Sequence, residues 1–454
     1  MPSHPPTERL LHEGDPGFDE ALHDAVWNAR KPPRRPARIL VATDDRDVAW
    51  GVGYAAEHGL RVGVRSGGHS WYGNGVREGE MLIDLSRLRD LSVDPQRRIA
   101  AVGPGLHGRE LDAALLEHDL FFPIGHCGSV GLGGFTLGGG YGWNSRAVGP
   151  ACLGVRAIDA VLADGRIVHA DDSTDPELMW AARGAGPGFC AVVTRLHLAL
   201  TRRPAIARLT EVYPLELHDE LLAWALGLLD ELPAQIEVSV RVGHSEAAAG
   251  AEVLTLTAMA FADPVGDPQE MLEPLRHGPL ADRRLGRIDV RLTALPDLHD
   301  RGEDQRSRWD VDGIWTQAPA AQIIPAARAA GLGETPGGES FVLWMLWGHH
   351  PVRENACWSI QAPLYLSPNA GWSDPADDPD RRAWVDGALH ALAPLSRGVQ
   401  FSDADIAVRP GRGLSAENAE RLQAVRARYD PSGRLCSYLT PAEIDPRSRA
   451  ATEV

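Results

Sequence analysis

GHCGSVGLGGFTLGGGYG, residues 125–142, holds nine glycines in eighteen positions. A run this poor in side chains lets backbone amides come close to a bulky, flat or anionic ligand, and it is expected to be a loop throughout. It is not a dinucleotide fingerprint, because the G-x-G-x-x-G spacing does not follow a strand and open a helix here. Nor is it a phosphate loop of the nucleoside-triphosphatase kind, since no Gly-Lys-Ser/Thr follows. A purely structural glycine loop is the plain alternative. About sixty residues earlier stands VRSGGHSWYG (64–73), where Ser66, Gly67 and Gly68 follow an expected strand and suit amides turned toward a pyrophosphate. Taken alone, His69 reads as an ordinary surface histidine and Cys127 as a small buried hydrophobe.

The chain around these two stretches alternates strands and helices. Phe18, Leu22, Val26 and Trp27 share one helical face. ARILVAT (37–43) has the length of a buried strand, Asp44 and Asp45 open a helix through Val48, Val52, Ala55 and Ala56, and Gly59 can end it. RVGVRSGG (61–68) follows as a strand, so this β-α-β opening predicts parallel pairing. MLIDLSRL (81–88) and RIAAVGPG (98–105) read as further strands. HGRELDAALLEHD (107–119) places Leu111, Ala114, Leu115 and His118 on a helix face. AIDAVLADGRIVHAD (157–171) has the form of a hairpin turning at Asp164-Gly165, and CAVVTRLHLAL (190–200) alternates as a strand.

Past residue 204 the character changes. Residues 205–400 hold eight of the thirteen tryptophans and two alternating apolar segments, SFVLWMLWG (340–348) and ACWSIQAPLYL (356–366). They predict an antiparallel sheet with helices such as 216–231. Residues 415–439 read as a helix and an extended tail. The expected fold is α+β, with residues 30–204 as one domain, 205–404 as a second, and 405–446 returning to the first.

Composition excludes several classes. A formal charge of −17 argues against a nucleic-acid backbone as partner. No apolar run reaches the ~20 residues of a membrane-spanning helix, and no secretory signal is visible, so a cytoplasmic location is expected. Cysteines 127, 152, 190, 357 and 436 form no C-x-x-C pair, which disfavours a zinc site and a disulfide framework. Lys31 is the single lysine, and arginine carries the positive charge along the whole chain.

Taken together, RSGGHS (65–70) and CGSVGLGGFTLGGGYG (127–142) resemble the berberine-bridge-enzyme-like group of the vanillyl-alcohol-oxidase flavoprotein superfamily. The resemblance continues through LIDLSRL (82–88), VGPG (102–105), ADGRIVHAD (163–171), WAARGAGPGFCAVVTRLHL (180–198) and RYDPSG (428–433). It implies a two-lobed PCMH-type FAD-binding domain, plus a substrate domain whose antiparallel sheet is covered by helices. It implies FAD held covalently, by His69 at the flavin 8α-methyl and by Cys127 at C6. Arg65, Ser66, Gly67, Gly68, Ser70, Ser129, Val130, Gly131, Gly133, Gly134, Gly139, Gly140, Gly142 and Val193 are the further expected cofactor contacts. A valine at the position of Val130 is associated in the family with oxygen access to reduced flavin; plain packing is the other reading of Val130.

The family's usual proton acceptor, a tyrosine before the C-terminal helix, is missing, since the matching stretch reads Gly398-Val399-Gln400-Phe401. Tyr365, Asp403 and Tyr438 are the candidate substitutes, with His349 and His350 as others. Trp344, Trp347 and Trp358 are read either as lining of a cavity or as sheet core. The expected activity is oxidation of a small-molecule alcohol, sugar or natural-product intermediate, with O2 as acceptor and H2O2 as product, by a monomer or homodimer. Two alternatives stand beside it: an oxidative cyclase or amine oxidase of a biosynthetic pathway, and a flavin-binding protein without turnover.

Overall fold

The computed structural model describes residues 7–263, 266–285, 290–298, 307–405, 407–409, 411–440 and 443. Its first sheet carries β1 (Leu10–His12), β2 (Arg38–Val41), β3 (Val62–Arg65) and β4 (Met81–Asp84) in the order β1-β2-β4-β3. β2 and β3 both pair with β4 in parallel, as the β-α-β opening predicts. The helix between them, Asp45–Glu57, begins where the Asp44 carboxylate accepts the Asp47 amide at 2.8 Å, and it buries Val48, Val52 and Ala55 on the sheet. Gly59 adopts φ +68 just past its end.

The free edge of β3 is closed by the far end of the chain. Leu435 bridges Val62, whose amide donates to the Arg434 carbonyl at 2.8 Å, and the Cys436 amide returns a bond to Val62 at 2.9 Å. Glu443 fastens this tail to Arg61 at 2.9 Å and Arg77 at 3.1 Å. The rest of the segment beyond Glu443 lies outside the described residues.

A second sheet, antiparallel, runs β5 (Leu91–Asp94), β6 (Ile99–Val102), β10 (Ala191–Ala199), β8 (Val155–Leu162), β9 (Ile167–Asp171). β8 and β9 form the expected hairpin around Asp164-Gly165. A short ribbon joins β7 (Leu120–Phe121) to β11 (Thr201–Arg202). The third sheet has eight strands, all paired antiparallel: β12 (Ala205–Pro214), β13 (Ile236–His244), β14 (Glu252–Ala262), β15 (Arg291–Thr293), β16 (Arg308–Val311), β17 (Ile314–Thr316), β18 (Phe341–Leu346) and β19 (Leu364–Trp372). Helices His218–Gly227, Ala320–Ala329 and Asp378–Leu392 contribute Leu221, Ile323 and Val385 to its core.

Four sequence expectations change. The glycine stretch is not loop throughout, because Leu132–Leu137 winds into a short helix. The helix expected over 107–119 spans Gly108–Leu116 and leaves His118 exposed beyond its end. The first helix stops at Asp24, before Val26 and Trp27. Of 356–366, only the end is strand. The amides of Cys357 and Trp358 donate to the carbonyls of Trp180 and Arg183 rather than to a neighbouring strand, and β19 starts only after Pro363.

Buried polar side chains join the first and third sheets. Asn28 donates to the carbonyls of Trp71 (3.0 Å) and Trp309 (2.8 Å) and accepts the Trp309 amide. Arg409 reaches Asp312 at 2.8 Å, Asp310 at 3.1 Å and Asp386 at 2.6 Å, and also donates to the Tyr72 hydroxyl.

Candidate active site

The two motifs that lie sixty residues apart in sequence meet in space. Gly67 packs directly on Gly131: a Cβ on Gly67 would lie 2.4 Å from the Gly131 nitrogen, and one on Gly131 would lie 2.6 Å from the Gly67 nitrogen. Ser66 Oγ accepts the Gly134 amide at 3.2 Å. His69 Nε2 lies 3.2 Å from Ser129 Oγ, two residues along from Cys127. The turn carrying Cys127 is itself fastened down. Val130 donates to the Cys127 carbonyl, and the Arg109 and Gly108 amides donate to Gly128 and Val130. The glycines here are required by close backbone approach, not by flexibility.

This contact yields a direct prediction. Gly131→Ala puts a methyl against backbone atoms that no rotamer change can move, so a loss of about 1–3 kcal/mol is expected. Flavin absorbance per mole of purified protein should fall with it. At Gly134 the nearest atom to a new Cβ is Ser66 Oγ at 3.9 Å, so Gly134→Ala should stay within about 0.5 kcal/mol of the parent in a denaturant melt.

Where amides are free matters for any anion held here. The first amides of the helix Leu132–Leu137 are already taken: Leu132 donates to Leu106, Gly133 to Pro104 and Gly134 to Ser66. By contrast, among the described residues the amides of Gly67, Gly68, His69 and Ser70 donate to no protein acceptor. Gly68 adopts φ +73, a turn that leads the chain away from β3. Two nitrogens of the arginine at the start of this stretch are already taken, and its Nε is buried without a partner. Arg65 is held by Asp84 at 2.8 Å and by the Asp24 carbonyl.

His69 is set up as a neutral imidazole. Burial pushes its pKa down to about 4, His107 and Arg65 push the same way, and Ser129 opposes them. Trp27 stacks on the ring at a centroid distance of 5.2 Å, which fixes its plane.

Opposite this segment stands a half-buried acid. Asp403 accepts from Trp71 Nε1 at 3.2 Å and from the Tyr365 hydroxyl at 2.8 Å. Burial raises the Asp403 carboxyl despite both bonds, and burial together with Asp403 holds the Tyr365 hydroxyl well above its usual value. Gly313 makes room for this arrangement, since a Cβ there would lie 2.6 Å from the Tyr365 ring. The stretch bearing Asp403 is a turn, tied to the third sheet through the Gly398–Trp315 bridge.

The other candidates are placed elsewhere. Tyr438 donates to the Ala185 carbonyl at 2.7 Å and stacks on Phe401, contacts that brace the tail. His350 is buried, with its pKa lowered by burial, Arg146 and His349, and His349 itself is exposed. Val193 lies in the core of β10. Gly139 and Gly140 adopt φ +112 and +77, and Gly142 presses on the Ile124 carbonyl. Ser70 Oγ accepts the Asn74 amide. Trp344 is sheet core, whereas Trp347 and Trp358 pack with Tyr141, Trp315 and Tyr365 in a separate aromatic cluster between the glycine stretch and the third sheet. Tyr141, Trp315 and Trp71 were not singled out from sequence. Tyr141 was within reach as the aromatic of GGGYG, whereas nothing local marks Trp315.

The fold and this cradle define a two-lobed α+β flavoprotein of the PCMH type. Residues 36–171 match the family described as FAD binding domain. The FAD-linked oxidoreductase nodO of Hypoxylon pulicicidum is 31% identical over 421 residues, covering 90% of this chain and 92% of that protein. Among solved structures, 6-hydroxy-D-nicotine oxidase from Arthrobacter nicotinovorans superposes with a TM-score of 0.80 at 24% identity, covering 96% of this chain and 97% of that one. BBE-like 1 of Physcomitrella patens gives 0.79 at 19%, covering 96% of each. The chain is an enzyme and belongs to the FAD-linked oxidoreductases. The residues present fit that cofactor: among the described residues four consecutive amides, Gly67 to Ser70, have no protein acceptor, His69 is a neutral histidine, and the glycines leave the space that side chains would fill. Among the described residues no helix is long and apolar enough to cross a membrane.

Proposed function

We propose that the enzyme carries FAD bicovalently through His69 and Cys127 and oxidises a small-molecule alcohol, sugar or natural-product intermediate, passing electrons to O2 with release of H2O2. The observation that carries the reading is the His69–Ser129 contact, which brings both attachment segments to one cradle. When bound, the flavin supplies the two-electron redox chemistry. The amides of Gly67 to Ser70 would hold its pyrophosphate, and Trp27 keeps the His69 ring in one plane. Tyr365 would orient a substrate hydroxyl, and Asp403 Oδ2 would accept its proton through that contact. Tyr141, Trp315, Trp347 and Trp358 would exclude water and pack on an apolar or aromatic substrate body. Val130 is the proposed oxygen gate. An oxidative cyclase or amine oxidase is the second reading, and the same aromatic cluster favours it, because a flat ring system would stack there.

Acid precipitation tests the double tether. Yellow colour should stay in the wild-type pellet, stay with His69→Ala and with Cys127→Ala, and leave only with the double variant. Colour wholly in the wild-type supernatant would refute covalent attachment. Peroxide release during a substrate screen would then separate oxidase from dehydrogenase.

A further inference from the structure

We propose that Asp159, His169 and His197 form a binding site for one borderline divalent cation of the zinc class, on the outer face of the second sheet. The three residues come from three adjacent strands, β9, β8 and β10, and one donor atom from each lies within 4.8 Å of the others. Asp159 sits directly opposite His169 in the ladder, and His197 follows two positions after Arg195, which opposes Asp159 on the other side. With a side-chain period of two, all three project from one face.

The carboxylate is already clasped by both rings: His169 Nδ1 lies 2.6 Å from Oδ1 and His197 Nε2 lies 3.2 Å from Oδ2. Donors on one zinc ion lie about 3–3.5 Å apart, given bonds near 2.0–2.2 Å. Binding therefore needs rotation of side chains by less than about 1 Å and no movement of backbone. Register shifts fall between Val193 and Arg195 and between His197 and Leu198, on either side of the ligand strand segment. Such bulges re-aim side chains, and here they flank the residue that turns toward Asp159.

The charges around the site suit a cation. Arg195, which the register sets beside Asp159, reaches away to Asp90 at 3.2 Å. Burial raises the Asp159 carboxyl, but the two histidines outweigh it and hold it below the usual range. Two imidazoles and one carboxylate are the donor set of borderline first-row ions, with the remaining position left to water on the exposed His169 side. The opposite face of these strands holds Ile158, Ala160, Leu196 and Leu198 in the core with Ile124 and Leu132, next to the glycine stretch. A bound ion would join three strands behind the flavin cradle.

Flavin-loaded protein, stripped with chelator, is titrated with Zn2+ against a chromophoric competitor, and with Co2+ by visible absorbance. One equivalent should bind, with a rise in melting temperature. His169→Gln and His197→Ala should each weaken binding by at least about tenfold, and the double variant should abolish it, all with unchanged flavin content. His277→Ala, which removes an exposed histidine paired with Glu273, should bind as wild type. No saturable binding in wild type, or binding that survives in the flavin-loaded double variant, would overturn the site and leave a histidine–aspartate–histidine ion cluster.

Discussion

Arg409→Leu is expected to destabilise the protein by about 3–5 kcal/mol, the usual consequence of leaving a buried ion pair with one partner. Arg409 is the common cation of Asp310, Asp312 and Asp386, and two of those carboxylates are almost wholly shielded from water. Arg30 holds Asp310 from the other side at 2.8 Å but does not reach Asp312. Burial raises the Asp312 carboxyl to about 7 even with Arg409, Gly313 and Asp405 favouring its charge. Its folded pKa exceeds its unfolded value, so its stabilising contribution is present at acid pH and is lost as pH rises through about 7. The deficit of Arg409→Leu should therefore shrink between pH 8 and pH 5, as read from denaturant midpoints. A pH-independent deficit would mean that Arg409 acts through packing on Tyr72 and not through charge.

Asp403→Asn should slow flavin reduction by about 10²–10⁴-fold, the range associated with a positioned proton acceptor. Asparagine keeps an oxygen for the Tyr365 hydroxyl but cannot take up a proton. The sign of the pH effect follows from the raised pKa of Asp403. Only the ionised carboxyl accepts, so kcat/KM of the wild type should rise with pH through that pKa, and the variant should lose this limb. Rapid mixing with any substrate that the peroxide screen returns provides the measurement, and retained flavin content controls for folding. If Asp403→Asn kept both rate and pH profile, Asp403 would serve only to anchor Trp71 and Tyr365.

Strands β2 to β4 of the first sheet were legible because their signals are local, whereas β1 was not expected. Asp44 caps, Gly59 stops, and the apolar run of β2 lies within a few residues of both. The hairpin β8–β9 was legible for the same reason, through Asp164-Gly165. ACWSIQAPLYL misled because alternation records burial on two sides and not the partner. Cys357 and Trp358 are buried, but their amides pair with the Trp180–Arg183 segment. The helix Leu132–Leu137 was hidden by its glycines, which cost helix propensity; at Gly133 the close approach of Pro104 and Ser66 leaves no room for a side chain. Within the candidate site, His69 and Cys127 could be paired only through resemblance; what the structure adds is the Gly67–Gly131 contact, which brings their two segments together. Tyr365 and Asp403 could each be named, but their hydrogen bond spans 38 residues and depends on Gly313 giving way. Tyr438 was named from closeness in sequence alone, which could not show that its hydroxyl donates to the Ala185 carbonyl.

The closing of β3 by Leu435 has a consequence for biosynthesis. Val62 leaves the ribosome 373 residues before its partner Leu435. At ~5–20 residues per second, the edge next to RSGGHS stays open for roughly 20–75 s of translation. The pairing of the first sheet is completed only once the tail has been made, and its exposed parallel edge must be kept from other chains until then.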